Sequence, residues 1–181
     1  MGMIFMTGLS GAGKTTLANG LKTKLKTIGV AIEVFDGDIF RNSVSKDLGY
    51  SAADRRENIC RLAKAAYEQS MAGTSVIVAA INPFEDLRVQ LREQYNAKII
   101  WVNCALAELI SRDPKGLYRR ALLQDGHPEK IKNLTGINDP YEIPVNPDLI
   151  IDTSNAAKEK SIEQLFNYVT GILNPGHPKF I

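Results

Sequence analysis

Two kinds of hydrophobic run alternate along the chain. Short, nearly continuous apolar runs occur at Met3-Ile4-Phe5-Met6, Ala31-Ile32-Glu33-Val34-Phe35, residues 75–80, 98–103 and 149–153. Runs of this length that lack a polar face read as strands buried on both sides, as in a parallel sheet. Between them the apolar positions recur at helical spacing. Leu17, Leu21, Leu25 and Ile28 form one stripe, which Gly29 closes. A second stripe runs through Asn58, Leu62, Ala66 and Gln69 to Gly73, opened by Ser51-Ala52-Ala53-Asp54, a capping-box pattern. Leu87 and Leu91 mark a third helix with Pro83 at its start, and Leu106, Leu109 and Ile110 a short fourth. Ile162, Leu165, Phe166, Val169 and Ile172 make the amphipathic stripe of a closing helix. The alternation predicts an α/β fold, a five-stranded parallel sheet with helices on both faces in a three-layer sandwich.

One stretch breaks the alternation. Residues 112–147 are dense in charge, glycine and proline, yet they carry Leu117, Tyr118, Leu122, Leu123 and Tyr141. A long irregular segment with that many apolar anchors is expected to be an ordered lid rather than a disordered linker. Length and composition add limits. With 181 residues and 44% hydrophobic content, the expectation is a single domain spanning 1–181, with a tail over 174–181. A net charge of +2 supplies no global field for nucleic acid or an anionic membrane. No apolar stretch is long enough to span a bilayer, and core strand begins at the first residues, so the chain reads as cytoplasmic. Cys60 and Cys104 are far apart and lack metal-ligand spacing, which predicts two small buried residues. His127 and His177 sit in Gly-His-Pro contexts without a metal-ligand partner and read as structural or solvent-facing.

The chemistry is concentrated where the first strand meets the first helix. Gly8-Leu9-Ser10-Gly11-Ala12-Gly13-Lys14-Thr15-Thr16 has the form Gly-x4-Gly-Lys-Thr between a strand and a helix. Glycines let consecutive N–H groups turn inward around phosphate oxygens, and the helix N-terminus adds partial positive charge. Lys14 is placed to reach the β/γ-phosphates and Thr15 to hold Mg²⁺. The second strand ends in Asp36-Gly37-Asp38, two carboxylates at the sheet edge where α/β proteins bind ligands. Arg55 and Asn58 lie three apart on one helix and share a face.

These residues carry a resemblance. The phosphate loop, Asp-Gly-Asp-x-x-Arg at 36–41, Asp-Leu-Gly-Tyr-Ser at 47–51, Asp-Arg-Arg-Glu-Asn-Ile at 54–59, Arg-Asp-Pro-Lys-Gly-Leu-Tyr at 112–118 and Thr-Gly-Ile-Asn-Asp-Pro-Tyr-Glu at 135–142 stand in the order of the adenylyl-sulfate kinase family. The chain resembles that family over residues 4–153. The resemblance implies a P-loop nucleoside-kinase-like fold and transfer of the ATP γ-phosphoryl group to the ribose 3′-hydroxyl of adenosine 5′-phosphosulfate. It also implies Mg²⁺ as cofactor and a homodimer in sulfate assimilation. By the same resemblance residues 8–16 and Arg112 hold ATP, while Asp38, Arg41, Tyr50, Arg55, Asn58, Ile81, Asn82, Lys115, Leu117, Leu134 and Thr135 meet the sulfonucleotide. Thr15 and Asp36 belong to the metal shell and Asp38 to the attacking hydroxyl, an assignment in which the two acids can exchange roles.

Four positions depart from the family pattern in the implied acceptor pocket. Asn82 replaces a serine, so no phosphoserine can form there. Cys60 replaces an arginine, Tyr50 a phenylalanine, and Leu134 the aromatic that precedes Thr135. The tyrosine keeps a stacking face and the leucine does not. A related kinase acting on another nucleotide-linked acceptor, such as a pyrimidine nucleotide in surface-polysaccharide modification, is the alternative enzyme. A non-catalytic nucleotide-binding module is a third reading, opposed by the presence of Lys14, Thr15, Asp36 and Asp38 together.

Overall fold

A computed structural model describes residues 3–173 of the chain. Five strands, β1 (Met3–Thr7), β2 (Ile32–Asp36), β3 (Ser75–Ala79), β4 (Lys98–Asn103) and β5 (Leu149–Asp152), form one all-parallel sheet in the order β2-β3-β1-β4-β5. β1 and β3 are buried along their whole length, as continuous apolar runs require. The helices are α1 (Lys14–Lys26), α2 (Gly37–Ser43), α3 (Ala52–Met71), α4 (Glu85–Tyr95), α5 (Leu106–Arg112), α6 (Leu117–Ala121) and α7 (Lys158–Leu173). Two cores result, one on each side of the sheet. Leu17, Leu21 and Leu25 of α1 pack with Leu165 and Val169 of α7 against one face, and Ile59, Leu62 and Ala66 of α3 pack with Leu87 and Leu91 of α4 against the other. Alternate side chains of β1 serve the two cores, with Ile4 and Met6 on the first and Met3 and Phe5 on the second.

The capping box at Ser51 is present with both of its hydrogen bonds, and it fixes where α3 begins. Several expectations need correcting. α1 ends at Lys26, so Ile28 lies beyond the helix and is 51% exposed. α4 starts at Glu85, two residues after Pro83, because Pro83 is followed by the extended Phe84. In α5 only Leu109 is buried, while Leu106 and Ile110 face outward, and Ile172 of α7 is likewise exposed. Cys104 is buried, but Cys60 is only half-buried. The expected tail over 174–181, with His177, lies outside the described residues.

Residues 139–145 are strapped to the sheet by a buried cation. Arg88 of α4 is 2% exposed, and its guanidinium donates to the Asn82 carbonyl, the Glu142 carbonyl and the Glu85 carboxylate, each at 2.6 Å. The Tyr141 hydroxyl lies 3.1 Å from that of Thr7, which in turn donates to the Asn82 carbonyl. A buried charge is tolerated when its nitrogens find partners, and here all three guanidinium nitrogens donate.

Candidate active site

The phosphate loop follows β1 without slack. Gly8 takes φ +154°, and a Cβ there would stand 2.3 Å from the Val102 carbonyl oxygen, so only glycine lets the loop pass β4. Gly13 caps α1 in the left-handed region at φ 97°. The loop carbonyls are tied back into the protein. Lys14 Nζ donates to the carbonyls of Gly8 and Leu9, both at 2.8 Å. The Tyr118 hydroxyl donates to Ser10 O at 2.8 Å and the Thr153 hydroxyl to Ala12 O at 2.9 Å. With carbonyls held away from the cavity, the peptide N–H groups are left for an anion.

Beside the loop is a cavity of about 190 Å³ lined by Ser10, Gly11, Gly13, Lys14, Thr15, Thr16, Asp36 and Asp38, with Pro114 and Lys115 above. Gly8, Leu9 and Ala12 do not line it; they shape the loop from behind, and Leu9 borders a separate cavity of about 560 Å³ beside Trp101, Asn103 and Tyr141. Lys14 is buried, and that burial pushes its ammonium down to about 8, against the opposing pull of Asp38 and Asp36. Asp36 holds two structures together. Its Oδ1 caps α2 by accepting from the N–H groups of Asp38 (2.9 Å) and Ile39 (3.1 Å), and its Oδ2 accepts the Thr15 hydroxyl at 2.5 Å. Thr15 and Asp36 thus present two hard oxygen ligands at the phosphate cavity, which fits Mg²⁺. Among the described residues no group of three or more His, Cys, Asp or Glu could hold a metal alone, so a bound Mg²⁺ would need further oxygen ligands from nucleotide and water.

A second cavity, about 590 Å³, opens on the other side of Asp38. It gathers Asp38, Arg41, Tyr50, Arg55, Asn58, Ile81, Lys115, Leu117, Leu134 and Thr135, ten of the residues expected to meet the acceptor. The two cavities share Ser10, Asp38, Ala80, Ile81 and Lys115, and in that opening the Lys115 ammonium is hydrogen-bonded to the Asp38 carboxylate. Asn58 Oδ1 and Thr135 Oγ1 are buried and without hydrogen-bond partners, and both residues line the larger cavity. A buried unmatched acceptor or hydroxyl marks a position prepared for a polar ligand atom.

The remaining cavity wall is held by Arg55. Its guanidinium donates to the Asn133 carbonyl and lies 3.5 Å from Asp139, and burial lowers its pKa against the pull of Asp139. Tyr50 is more than half exposed, and the expected open stacking face is instead covered by Arg41, 4.8 Å from the ring centroid, and Arg55 at 5.5 Å. Leu134 is a core residue as well as a wall. Its side chain is 7% exposed, and its carbonyl accepts from the N–H groups of Ile137, Asn138 and Asp139.

Three expected residues are placed elsewhere. Asn82 is fully buried and does not line the acceptor cavity; its Oδ1 accepts from Phe84 N and its Nδ2 has no partner. Cys60 does not line it either, since it packs against the α3–α4 core. Arg112 reaches the Ser154 carbonyl, Glu108 and the Cys104 sulfur, outside all three cavities. Conversely, Asn42, Arg120, Ile131 and Asn133 line the acceptor cavity without having been singled out, and so do Gly37 and Ala80. Arg120, next to Arg-Asp-Pro-Lys-Gly-Leu-Tyr, offered a weak signal; the others offered none.

Comparison with known proteins adds the following. The sequence model of the family described as adenylylsulphate kinase matches residues 1–152. The chain is 41% identical over 175 residues to an adenylyl-sulfate kinase of Picosynechococcus, covering 95% of this chain and 96% of that one. It is 43% identical over 171 residues to an adenylyl-sulfate kinase of Bacillus pumilus, covering 93% and 84%. Among solved structures, the Mycobacterium tuberculosis APS kinase CysC in complex with AMPPNP and APS superposes with a TM-score of 0.85 at 32% identity, covering 93% and 97%.

Proposed function

The chain belongs to the adenylyl-sulfate kinase family, and from that premise we propose how its two joined cavities divide the reaction. The enzyme is a kinase that phosphorylates adenosine 5′-phosphosulfate with ATP, giving 3′-phosphoadenosine 5′-phosphosulfate and ADP. The smaller cavity takes the ATP phosphates, with the loop N–H groups and Lys14 as donors and Thr15 and Asp36 toward Mg²⁺. The larger cavity takes the sulfonucleotide. The observation that carries this division is Asp38, paired with Lys115 in the opening common to both.

Phosphoryl transfer passes through a loose transition state, so alignment and charge neutralisation matter more than a strong base. Asp38 accepts the hydrogen bond of the 3′-hydroxyl and takes its proton as the new O–P bond forms and the bond to the ADP oxygen breaks. Lys115, released from Asp38 by the incoming hydroxyl, neutralises the phosphoryl oxygens beside Lys14. Mg²⁺, when bound, neutralises charge on the β- and γ-phosphate oxygens. Asn58 and Thr135 offer their unmatched polar atoms to the acceptor, and Arg41 and Arg55 leave the Tyr50 ring for its anionic groups. Residues 112–147 serve as a lid, the chain acts as one domain, and it works in the cytoplasm. Among the described residues no helix is long and apolar enough to cross a membrane. A homodimer is supported by the exposed apolar side chains of Ile143, Val145 and Ile150; sedimentation as a monomer at micromolar concentration rules it out.

The test is ADP release over a panel of nucleotide acceptors, with product identified by ³¹P NMR. Turnover with adenosine 5′-phosphosulfate, giving a new 3′-phosphomonoester signal, is the expected result. Preferential turnover of a pyrimidine-linked acceptor transfers the assignment to the alternative enzyme, with Leu134 as the element that selects the base.

A further inference from the structure

The short helix α6 faces two ways. Just before it and at its start, Lys115 and Leu117 line the acceptor cavity. One residue on, Tyr118 turns into the protein, 1% exposed, and its hydroxyl donates to the carbonyl of Ser10 at 2.8 Å, in the middle of the phosphate loop. Asp113 fixes this arrangement by accepting from the N–H groups of Tyr118 at 3.1 Å and Arg119 at 2.9 Å. The ring belongs to the α1 core, and burial pushes the phenol up to about 12, so the hydroxyl remains a donor throughout the working pH range. From the opposite side, Thr153 at the end of β5 ties down Ala12 O.

We propose that Tyr118 is a positioning residue for ATP: its hydroxyl holds the Ser10 peptide with the carbonyl turned away from the phosphates, so the lid sets the shape of the phosphate loop. The inference rests on the assignment of that loop to ATP. A peptide free to rotate presents its carbonyl dipole to the nucleotide for part of the time, and each competing orientation lowers affinity. Tyr118 does not touch the reacting atoms. Its contribution therefore falls mainly on donor binding, with a smaller effect on the acceptor cavity, which Ser10 also borders.

That last point makes a discriminating test. Tyr118→Phe keeps the buried ring and removes only the hydroxyl, and Thr153→Val removes the second tether from a different element. Each is expected to raise the ATP KM and the Kd for Mg·ADP roughly threefold to tenfold, the scale of one net hydrogen bond, with the acceptor KM rising by less. If Tyr118→Phe merely loosens α6, the acceptor KM must rise through Lys115 and Leu117 at least as much as the ATP KM, and that outcome overturns the proposal. Unchanged Mg·ADP binding in Tyr118→Phe overturns it too. Binding of Mg·ADP by the wild type, read by calorimetry alongside, separates the two levels. Without it the assignment of the loop to ATP has failed; with it, and no effect of Tyr118→Phe, only the positioning role has failed.

Discussion

The two cavities that meet at Asp38 are built from different materials. The phosphate side is largely main chain, drawn from a single run of nine residues in which the carbonyls of Gly8, Leu9, Ser10 and Ala12 are occupied elsewhere. The acceptor side is side chain, assembled from β2–α2, α3, the end of β3 and two parts of the 112–147 segment. It still contains two buried polar atoms without partners, Asn58 Oδ1 and Thr135 Oγ1. A cavity made of backbone recognises what all phosphates share, and its shape is encoded by glycine spacing. Where side chains make the cavity, the ligand is selected atom by atom, and each wall residue is open to substitution.

Exchanging one atom at the junction gives the largest expected effect. Asp38→Asn removes the proton acceptor without changing size, so kcat is expected to fall by about 10²–10⁴ while Mg·ATP binding survives. Loss of Mg·ATP binding in that variant, measured by calorimetry, moves Asp38 to the phosphate side. Next, Lys14→Ala deletes the side-chain cation carried by the phosphate loop itself, and kcat is expected to drop by about 10²–10³. Near-normal turnover of the purified variant removes the loop from the mechanism.

On the acceptor side, Tyr50→Ala takes away a stacking surface worth about 1–3 kcal/mol, so the acceptor KM is expected to rise fivefold to a hundredfold with the ATP KM unmoved. Parallel rises in both constants erase the division between the halves. The smallest effect is one of pH. In the ligand-free chain the Lys14 amine titrates near 8, below its ordinary value, because it is buried. ATP phosphates need the ammonium form, so nucleotide binding draws a proton in above that pH, and affinity is expected to weaken about tenfold from pH 7 to pH 9. Calorimetry at pH 8.5 in two buffers of different ionisation heat reads the uptake directly; identical heats exclude it. The stability of the ligand-free chain runs the other way. The unfolded chain binds the Lys14 proton more tightly, so folding gains as pH rises from about 8 toward the unfolded value of 10.5.

The same contrast explains what the amino-acid sequence made legible. The five parallel strands, the layers and the phosphate loop depend on local spacing, and the capping box at Ser51 fixed the start of α3 to the residue. α2 was missed because Asp36-Gly37-Asp38 reads equally as a turn, and it is the hydrogen bonds from Asp38 and Ile39 N–H to the Asp36 carboxylate that mark a helix cap. Helix ends were overrun at Ile28 and misplaced at Pro83, where spacing continues past the point at which packing stops. Of the residues that motif order implied for the acceptor, ten line one cavity, but Asn82 and Cys60 do not. Both are motif neighbours of lining residues whose own side chains turn inward, and sequence adjacency carries no information about which way a side chain turns. The tethers from Tyr118, Thr153 and Arg88 had no local signature at all, since each joins residues more than fifty positions apart or works through main-chain oxygens.

Arg88 has a consequence for how this region can drift. Two of the three oxygens that satisfy its guanidinium, on Asn82 and Glu142, are peptide carbonyls, which every residue type supplies. The arginine's part of the attachment therefore asks nothing of the side chains at those two positions, although the Glu142 carboxylate separately accepts from the Glu85 N–H at 2.5 Å. Exchange at position 82 leaves the anchor standing, and the serine-to-asparagine difference from the family pattern falls at such a permissive site. The reverse does not hold: a lysine at position 88 offers one nitrogen in place of a planar fork and cannot reach three separated oxygens together. Variation is tolerated at position 82 and costly at the arginine, so the strap, which borders the cavity beside Leu9 and Trp101, keeps its place when its neighbour at 82 changes.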